Sequence, residues 1–249
     1  AQTPKRPRPM FKFKPESSGL DEFSTQPIEV CGRGFVADPS GALYWPAERA
    51  LIVADMHLEK GSSGAMRGRL LPPYDTRATL IRLATAVERH QAEAVIALGD
   101  SLHDVGAADR MSGEDLELLR LIQDGRDWLW ITGNHDPAID PRFAGGRRAE
   151  GELSGLMLRH APHAGPITHE LAGHLHPAAR LAMRGHTLRR PCFVGNGQRL
   201  VLPAFGTFTG GLNVMDAAFE QLFGGDGLAV WMLGAQGLYP VAPRQLCAD

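Results

Sequence analysis

The sequence is poor in cysteine. Cys31, Cys192 and Cys247 lie far apart, odd in number and without CxxC spacing. That argues against a disulfide framework or a cysteine-built zinc site, and fits reduced thiols in a cytoplasmic protein. No stretch approaches the ~20 consecutive apolar residues that a membrane-crossing helix needs. The first residues also lack the apolar core of a secretory signal. Net charge is small: the formal value is −2, so the whole-molecule field neither favours nor excludes a polyanionic partner. No internal repeat and no clean linker is evident, and 249 residues suit one large domain.

What is present has the texture of a soluble globular enzyme, 43% hydrophobic and 22% charged. Residues 1–24 carry Lys5, Arg6, Arg8, Lys12 and Lys14 among prolines and are expected to form a disordered basic tail. Residues 25–249 are expected to form a single domain. Ile28–Asp38 and Ala42–Trp45 flank an Asp-Pro-Ser-Gly turn, which signals a hairpin. Arg49–Asp55, Glu93–Asp100 and Asp127–Asp136 each open as a short apolar run of the central-strand kind. Between them lie two helical patterns. In one, Leu80, Ile81, Leu83 and Val87 mark one face, with Pro72 and Pro73 suited to its first turn; the other is N-capped by Ser112. Strand, helix, strand, helix, strand implies parallel pairing with right-handed crossovers. Beyond Pro141, short apolar stretches alternate with glycine and proline and read as mostly strands.

All three central strands end in polar residues: Asp55 and His57 after the first, Asp100 after the second, Asn134, His135 and Asp136 after the third. Parallel strands would bring these sets to one edge, where open α/β sheets bind ligands. The β-rich half adds His160, His174 and His176. In extended chain, residues two apart point the same way, which would pair Asp55 with His57 and His174 with His176. Two carboxylates, an amide and four imidazoles are costly to bury unpartnered but suit divalent metals. Seven such ligands exceed one closed zinc site and fit two ions sharing a carboxylate, with Asp100 as the natural bridge.

The blocks Asp55-x-His57, Gly99-Asp100, Gly133-Asn134-His135-Asp136, a lone His160 and Gly173-His174-x-His176 resemble, in order, the signature of calcineurin-like metallophosphoesterases. The likeness spans Leu51 to about Pro177. It implies a two-sheet αββα sandwich in the α/β class, with parallel or mixed strands in the first half and mostly strands in the second. It implies one metal held by Asp55, His57 and His176, another by Asn134, His160 and His174, and Asp100 holding both. His135 matches the family's catalytic histidine, which binds no metal. Hard oxygen and imidazole ligands without thiolate favour manganese, with iron or zinc as alternatives. Leu51–Ser63, Leu70–Thr76, Ala97–Asp104 and Ala204–Asn213 resemble the bacterial DNA-ligase-associated branch of that family. That branch implies endonuclease action in the DNA damage response, with a DNA ligase and a helicase as functional neighbours.

The expected function is therefore hydrolysis of phosphodiester bonds in nucleic acid, DNA in a repair setting. The competing readings are a phosphodiesterase or phosphatase for small nucleotides and a non-catalytic scaffold on the same fold. All the ligands and His135 are present, which favours an enzyme. Asp136 is expected to orient His135 or cap its loop, and Gly133 to let the backbone turn sharply. His103 and Asp104 read as a cap for the next segment rather than as site residues. His163, His169 and His186 read as structural or exposed, and Trp128 and Trp130 as core. Arg67 and Arg69, or Arg180, Arg184, Arg189 and Arg190, are the cations available to phosphates flanking the scissile bond.

Overall fold

Apolar residues on both faces of a strand demand a layer on each side, and the chain supplies both. The computed structural model describes residues 25–249 apart from Leu70, Leu71, Pro73, Pro166, Thr168, Arg184, Gly225 and Asp226. The basic stretch 1–24, Pro73 and Arg184 thus lie outside the described residues.

The first sheet runs in chain order: β1 (Gln26–Val30), β2 (Arg33–Ala37), β3 (Leu43–Trp45), β4 (Ala50–Val53), β5 (Ala94–Leu98), β6 (Asp127–Ile131) and β7 (Gly146–Arg148). The first joins are antiparallel, and β4 to β7 are parallel. Helices α1 (Lys60–Met66), α2 (Asp75–His90), α3 (Ala107–Arg110) and α4 (Gly113–Gln123) fill the crossovers. Leu80, Leu83 and Val87 of α2 and Leu119 and Ile122 of α4 pack on Leu51, Val53, Val95 and Ala97. Ile52, Ile96 and Leu98 of the same strands face the other way. Trp128 and Trp130 are buried in the helix-side layer, as their alternation on the strand suggests.

The second sheet contains β8 (Glu150–Leu153), β9 (Leu156–Arg159), β10 (Glu170–Ala172), β11 (Pro177–Met183), β12 (His186–Gly195), β13 (Arg199–Val201) and β14 (Leu212–Asn213). Its spatial order is β14-β11-β12-β13-β10-β9-β8. After α5 (Ala217–Phe223), β15 (Ala229–Leu233) joins β12, and β16 (Leu238–Val241) joins β15. Leu156, Leu158, Leu171, Phe193 and Leu200 meet the inner face of the first sheet. Phe219, Leu222 and Phe223 of α5 cover the outer face, on Cys192, Val194, Val201 and Val230. The layers are helices, sheet, sheet, helix, which is the expected α/β sandwich.

Three local details differ from the sequence expectation. The run Ile28–Asp38 is itself a hairpin, turning at Cys31 and Gly32, before the Asp38–Gly41 turn leads to β3. Helix α2 opens only at Asp75, so Pro72 precedes it rather than occupying its first turn. Helix α5 was not anticipated. The Ser112 cap of α4 is formed: its hydroxyl accepts from the Asp115 N–H at 3.1 Å.

Candidate metal centre

Parallel register fixes where the site lies. Val53 pairs with Ala97 and Leu98 with Ile131, so the segments after β4, β5 and β6 leave one edge together. Asp55, Asp100 and Asn134 follow within a few residues. His160 follows β9, and His174 and His176 follow β10.

The chain there is not extended. Asp55, His57, Asp100, His174 and His176 all adopt left-handed backbone, with φ of 53°, 44°, 46°, 70° and 46°. Each such non-glycine residue costs roughly 1–2 kcal/mol. The strain is held by local bonds: the His57 N–H donates to the Asp100 carbonyl at 2.9 Å, and the His174 N–H donates to Asp55 Oδ2 at 2.8 Å. The extended-strand argument for pairing His174 with His176 therefore fails. The two rings serve different groups.

One group comprises Asp55, His57 and His176. Asp55 Oδ1 lies 3.2 Å from His176 Nε2, and the Nε2 atoms of His57 and His176 are 3.3 Å apart. A second comprises Asp100, His160 and His174, and a third, sharing His57, adds His103 and His135. His160 Nε2 lies 3.0 Å from His174 Nδ1, 2.9 Å from Asn134 Oδ1 and 3.3 Å from Asp100 Oδ2. Asp100 Oδ2 also lies 3.9 Å from His57 Nε2, so one carboxylate faces the first two groups. All seven candidate ligands are thus drawn together, from both sheets.

Their polar atoms are arranged for cations. His160 Nδ1 donates to the Leu98 carbonyl at 3.1 Å, which aims Nε2 at the oxygens of Asn134 and Asp100. Asp55 Oδ1 and His57 Nδ1 are buried without a hydrogen-bond partner among the described residues. The carboxylate oxygen of Asp55 is an acceptor, and burying it this way is costly unless a cation satisfies it. The donor set is oxygen and imidazole without sulfur, which suits a hard or borderline divalent ion.

Burial, reinforced by the His176 charge, holds the His57 imidazole far below its ordinary value and therefore neutral, as a metal ligand must be. Burial and His160 likewise lower His174. Burial would raise Asp100, but bonds from His160 and the His135 N–H outweigh it and keep the carboxylate ionised. Burial opposes charge on His160 too, yet Asp100 and Asp55 raise it overall.

His135 sits above these groups with its side chain 40% exposed. Its N–H donates to Asp100 Oδ1 at 2.9 Å, and its Nδ1 donates to the His103 carbonyl at 2.8 Å, leaving Nε2 free 3.9 Å from Asp100 Oδ2. The His103 ring stacks on His135, with centroids 5.2 Å apart, and meets the His57 ring edge-on at 5.5 Å. His103 thus belongs to the site's wall, where the sequence, placing it three residues after Asp100, favours a cap over a partner of the ligands. Asp104 is a cap, accepting from the Gly106 N–H and binding Arg110. Asp136 does not orient His135. It accepts N–H bonds from Asp100, Ser101, Leu102 and Gly133, although burial pushes its pKa up to about 6. Gly133 is needed for close approach rather than for a left-handed turn: a Cβ there would overlap the Asp100 carboxylate and N–H.

The arginines divide. Arg180 donates to the Ala248 carbonyl, and Arg189 bonds Asp249 and the Gly211 carbonyl. Arg67 and Arg69 are exposed.

The sequence matches the family model of calcineurin-like phosphoesterases over residues 48–189. No curated protein matches it. Among solved structures it is similar to the nuclease MPE of Pseudomonas putida, at 32% identity over 88% of this chain and 100% of that one, with a TM-score of 0.71. A protein of unknown function from Aquifex aeolicus shares 16% identity over 51% of this chain and 78% of its own, with a TM-score of 0.37. The E. coli phosphoesterase YfcE shares 14% identity over 80% of this chain and 96% of its own, with a TM-score of 0.36.

Proposed function

This chain belongs to the calcineurin-like phosphoesterase family, and from that membership we propose that it is a dinuclear phosphodiesterase cutting nucleic acid, DNA in a repair setting. The observation that carries the dinuclear reading is the gathering of the candidate ligands into two groups facing one carboxylate, Asp100. In this reading Asp55, His57 and His176 hold one cation, and Asn134, His160 and His174 the other. Bound there, two cations would neutralise a phosphodiester and lower the pKa of an attacking water. Manganese is our first choice, with iron or zinc in one site as the alternative.

The chain's own residues complete the chemistry. His135, partly exposed with Nε2 beside Asp100, would give a proton to the departing alkoxide, a transfer that typically contributes ~10²–10⁴-fold. Its N–H bond to Asp100 couples its position to the ligand it overhangs. The His103 carbonyl fixes its tautomer by accepting from Nδ1. Left-handed backbone at five ligand positions supports the functional reading, because strain of this kind persists where surrounding bonds over-determine it.

Nucleic acid as substrate is supported by the likeness to the P. putida nuclease. A cytoplasmic repair role beside a DNA ligase and a helicase rests on the branch that Leu51–Ser63 and Ala204–Asn213 resemble. The test is a panel of labelled single-stranded, duplex and flap DNAs, RNA and cyclic nucleotides, incubated with Mn²⁺ against a His135→Ala control. We expect cleavage of the DNAs, lost in the control. Turnover confined to cyclic nucleotides would replace the substrate assigned here.

A further inference from the structure

We infer that Lys60 and Arg67, at the two ends of α1, form a cationic wall beside the metal centre that grips phosphates flanking the one being cut. The inference rests on the nucleic-acid substrate proposed above.

The position of α1 is dictated by backbone pairing at the site. The Leu58 N–H donates to the Ser101 carbonyl and the His103 N–H donates to the Leu58 carbonyl, both at 2.9 Å. Lys60 opens α1 two residues beyond this pairing. Arg110, which also donates to Asp104 Oδ2 at 2.8 Å, ties α1 to the segment that follows His103. The helix is braced from behind. Arg110 Nε donates to Ser62 Oγ at 3.0 Å, Ser62 Oγ donates to Glu59 Oε2 at 2.6 Å, and Thr76 Oγ1 donates to Glu59 Oε1 at 2.8 Å. The wall is therefore set in advance of binding.

Both cations are available to a ligand. Neither Lys60 nor Arg67 makes an ion pair among the described residues, whereas Arg77, Arg110 and Arg142 all engage carboxylates. The Asp75 carboxylate, nearest in charge to Lys60, accepts from the Gly61 N–H at 2.9 Å. Lys60 is half-buried, and burial lowers its pKa. An anion alongside would offset that cost. From Lys60 to Arg67 the helix rises about 10 Å, so the two cations would meet different phosphates of one strand. Two of the other arginines weighed for this role, Arg180 and Arg189, are less free, being tied to the last residues of the chain. A small diester has no flanking phosphates, so this wall would distinguish a polynucleotide from it.

The test measures binding of a labelled single-stranded oligodeoxynucleotide by fluorescence anisotropy across a potassium chloride titration. The full chain is used with Mn²⁺, in the His135→Ala background to prevent cleavage. Lys60→Gln and Arg67→Gln should each weaken binding roughly tenfold at low salt, and each should make the log K against log salt slope shallower by about 0.7. Lys60→Arg should restore the slope, which a merely structural lysine would not require. Arg189→Gln serves as the control and should leave slope and affinity unchanged. Unaltered slopes in both glutamine variants, at full metal content and with unchanged circular dichroism, would overturn the inference. So would an equal loss in Arg189→Gln. If His135-intact protein hydrolyses bis-p-nitrophenyl phosphate but neither binds nor cuts any polynucleotide, the substrate reading itself falls, and the wall with it.

Discussion

Asp136 stands beside His135 in the sequence, yet its carboxylate turns the other way. It accepts four backbone N–H groups and so clamps the loop after β5 to the loop after β6. Position along the chain suggested either an orienter or a cap, and the contacts decide for the cap. We predict that Asp136→Asn costs about 2–3 kcal/mol, because an amide offers its N–H₂ to donors that want an acceptor in a buried site. Urea unfolding of the metal-free protein measures it; a change below half a kcal/mol would refute the clamp. Gly133 gives a sharper case. Its Cβ would overlap Asp100, so Gly133→Ala must displace the carboxylate that faces both ligand groups. We expect bound manganese to fall below one equivalent, by atomic absorption, while circular dichroism stays near wild type. Full metal content in that variant would show that Asp100 has room to move.

At the scale of elements, α2 is pinned to the first hairpin by a buried carboxylate. Asp38, between β2 and β3, bonds Arg89 at 2.6 Å and 2.8 Å, His90 at 2.8 Å and the Ser40 N–H at 2.8 Å. Burial alone would raise its pKa, but His90, Arg89 and Ser40 together hold it well below the usual carboxylate range. Removing one partner of such a pair typically costs ~3–5 kcal/mol, and less here, about 2–3, because the Arg89 side chain is 33% exposed. A depressed folded pKa stabilises the native state above the unfolded value of ~4 and loses that effect as pH falls through and below it. Asp38→Asn should therefore be less stable than wild type at neutral pH, with the gap closing below about pH 4; a gap independent of pH would refute the ion-pair account. The same scale shows what the sequence could disclose. Strands β4, β5 and β6 were legible because they are buried on both faces and read as unbroken apolar runs. Helix α4 was legible through Ser112. Helix α5 was not: seven residues show barely two turns of periodicity, although Asp216 caps its start at 2.9 Å and left-handed Gly224 ends it. The first half of β12, HTLRRP, escaped notice because its side chains are mostly exposed, so no apolar pattern marks it as strand.

Across the whole molecule, the candidate centre joins the two sheets. Asp55, His57, Asp100 and Asn134 follow strands of the first, while His160, His174 and His176 follow strands of the second. The identities of these residues were legible because ligand chemistry is local: a carboxylate or imidazole at a strand end announces itself. Their grouping was not legible from strand geometry. It depends on left-handed backbone at His174 and His176, which sends neighbouring rings to different groups. Such an arrangement makes metal binding a global stability term. Carboxylates and imidazoles drawn together out of water are costly to desolvate, and a cation held from both sides offsets that cost. Each site held at 100 times its dissociation constant adds about 2.7 kcal/mol, so two add about 5. For a chain of this size that is a rise of roughly 10–20 °C in Tm. We predict such a rise on adding manganese to chelator-stripped protein, followed by differential scanning calorimetry. Amide exchange should slow in both loops, around Gly99–Ser101 and around Gly173–His176, since each sheet contributes ligands. Protection confined to the first loop would mean that the histidines of the second sheet stand near the ions without holding them.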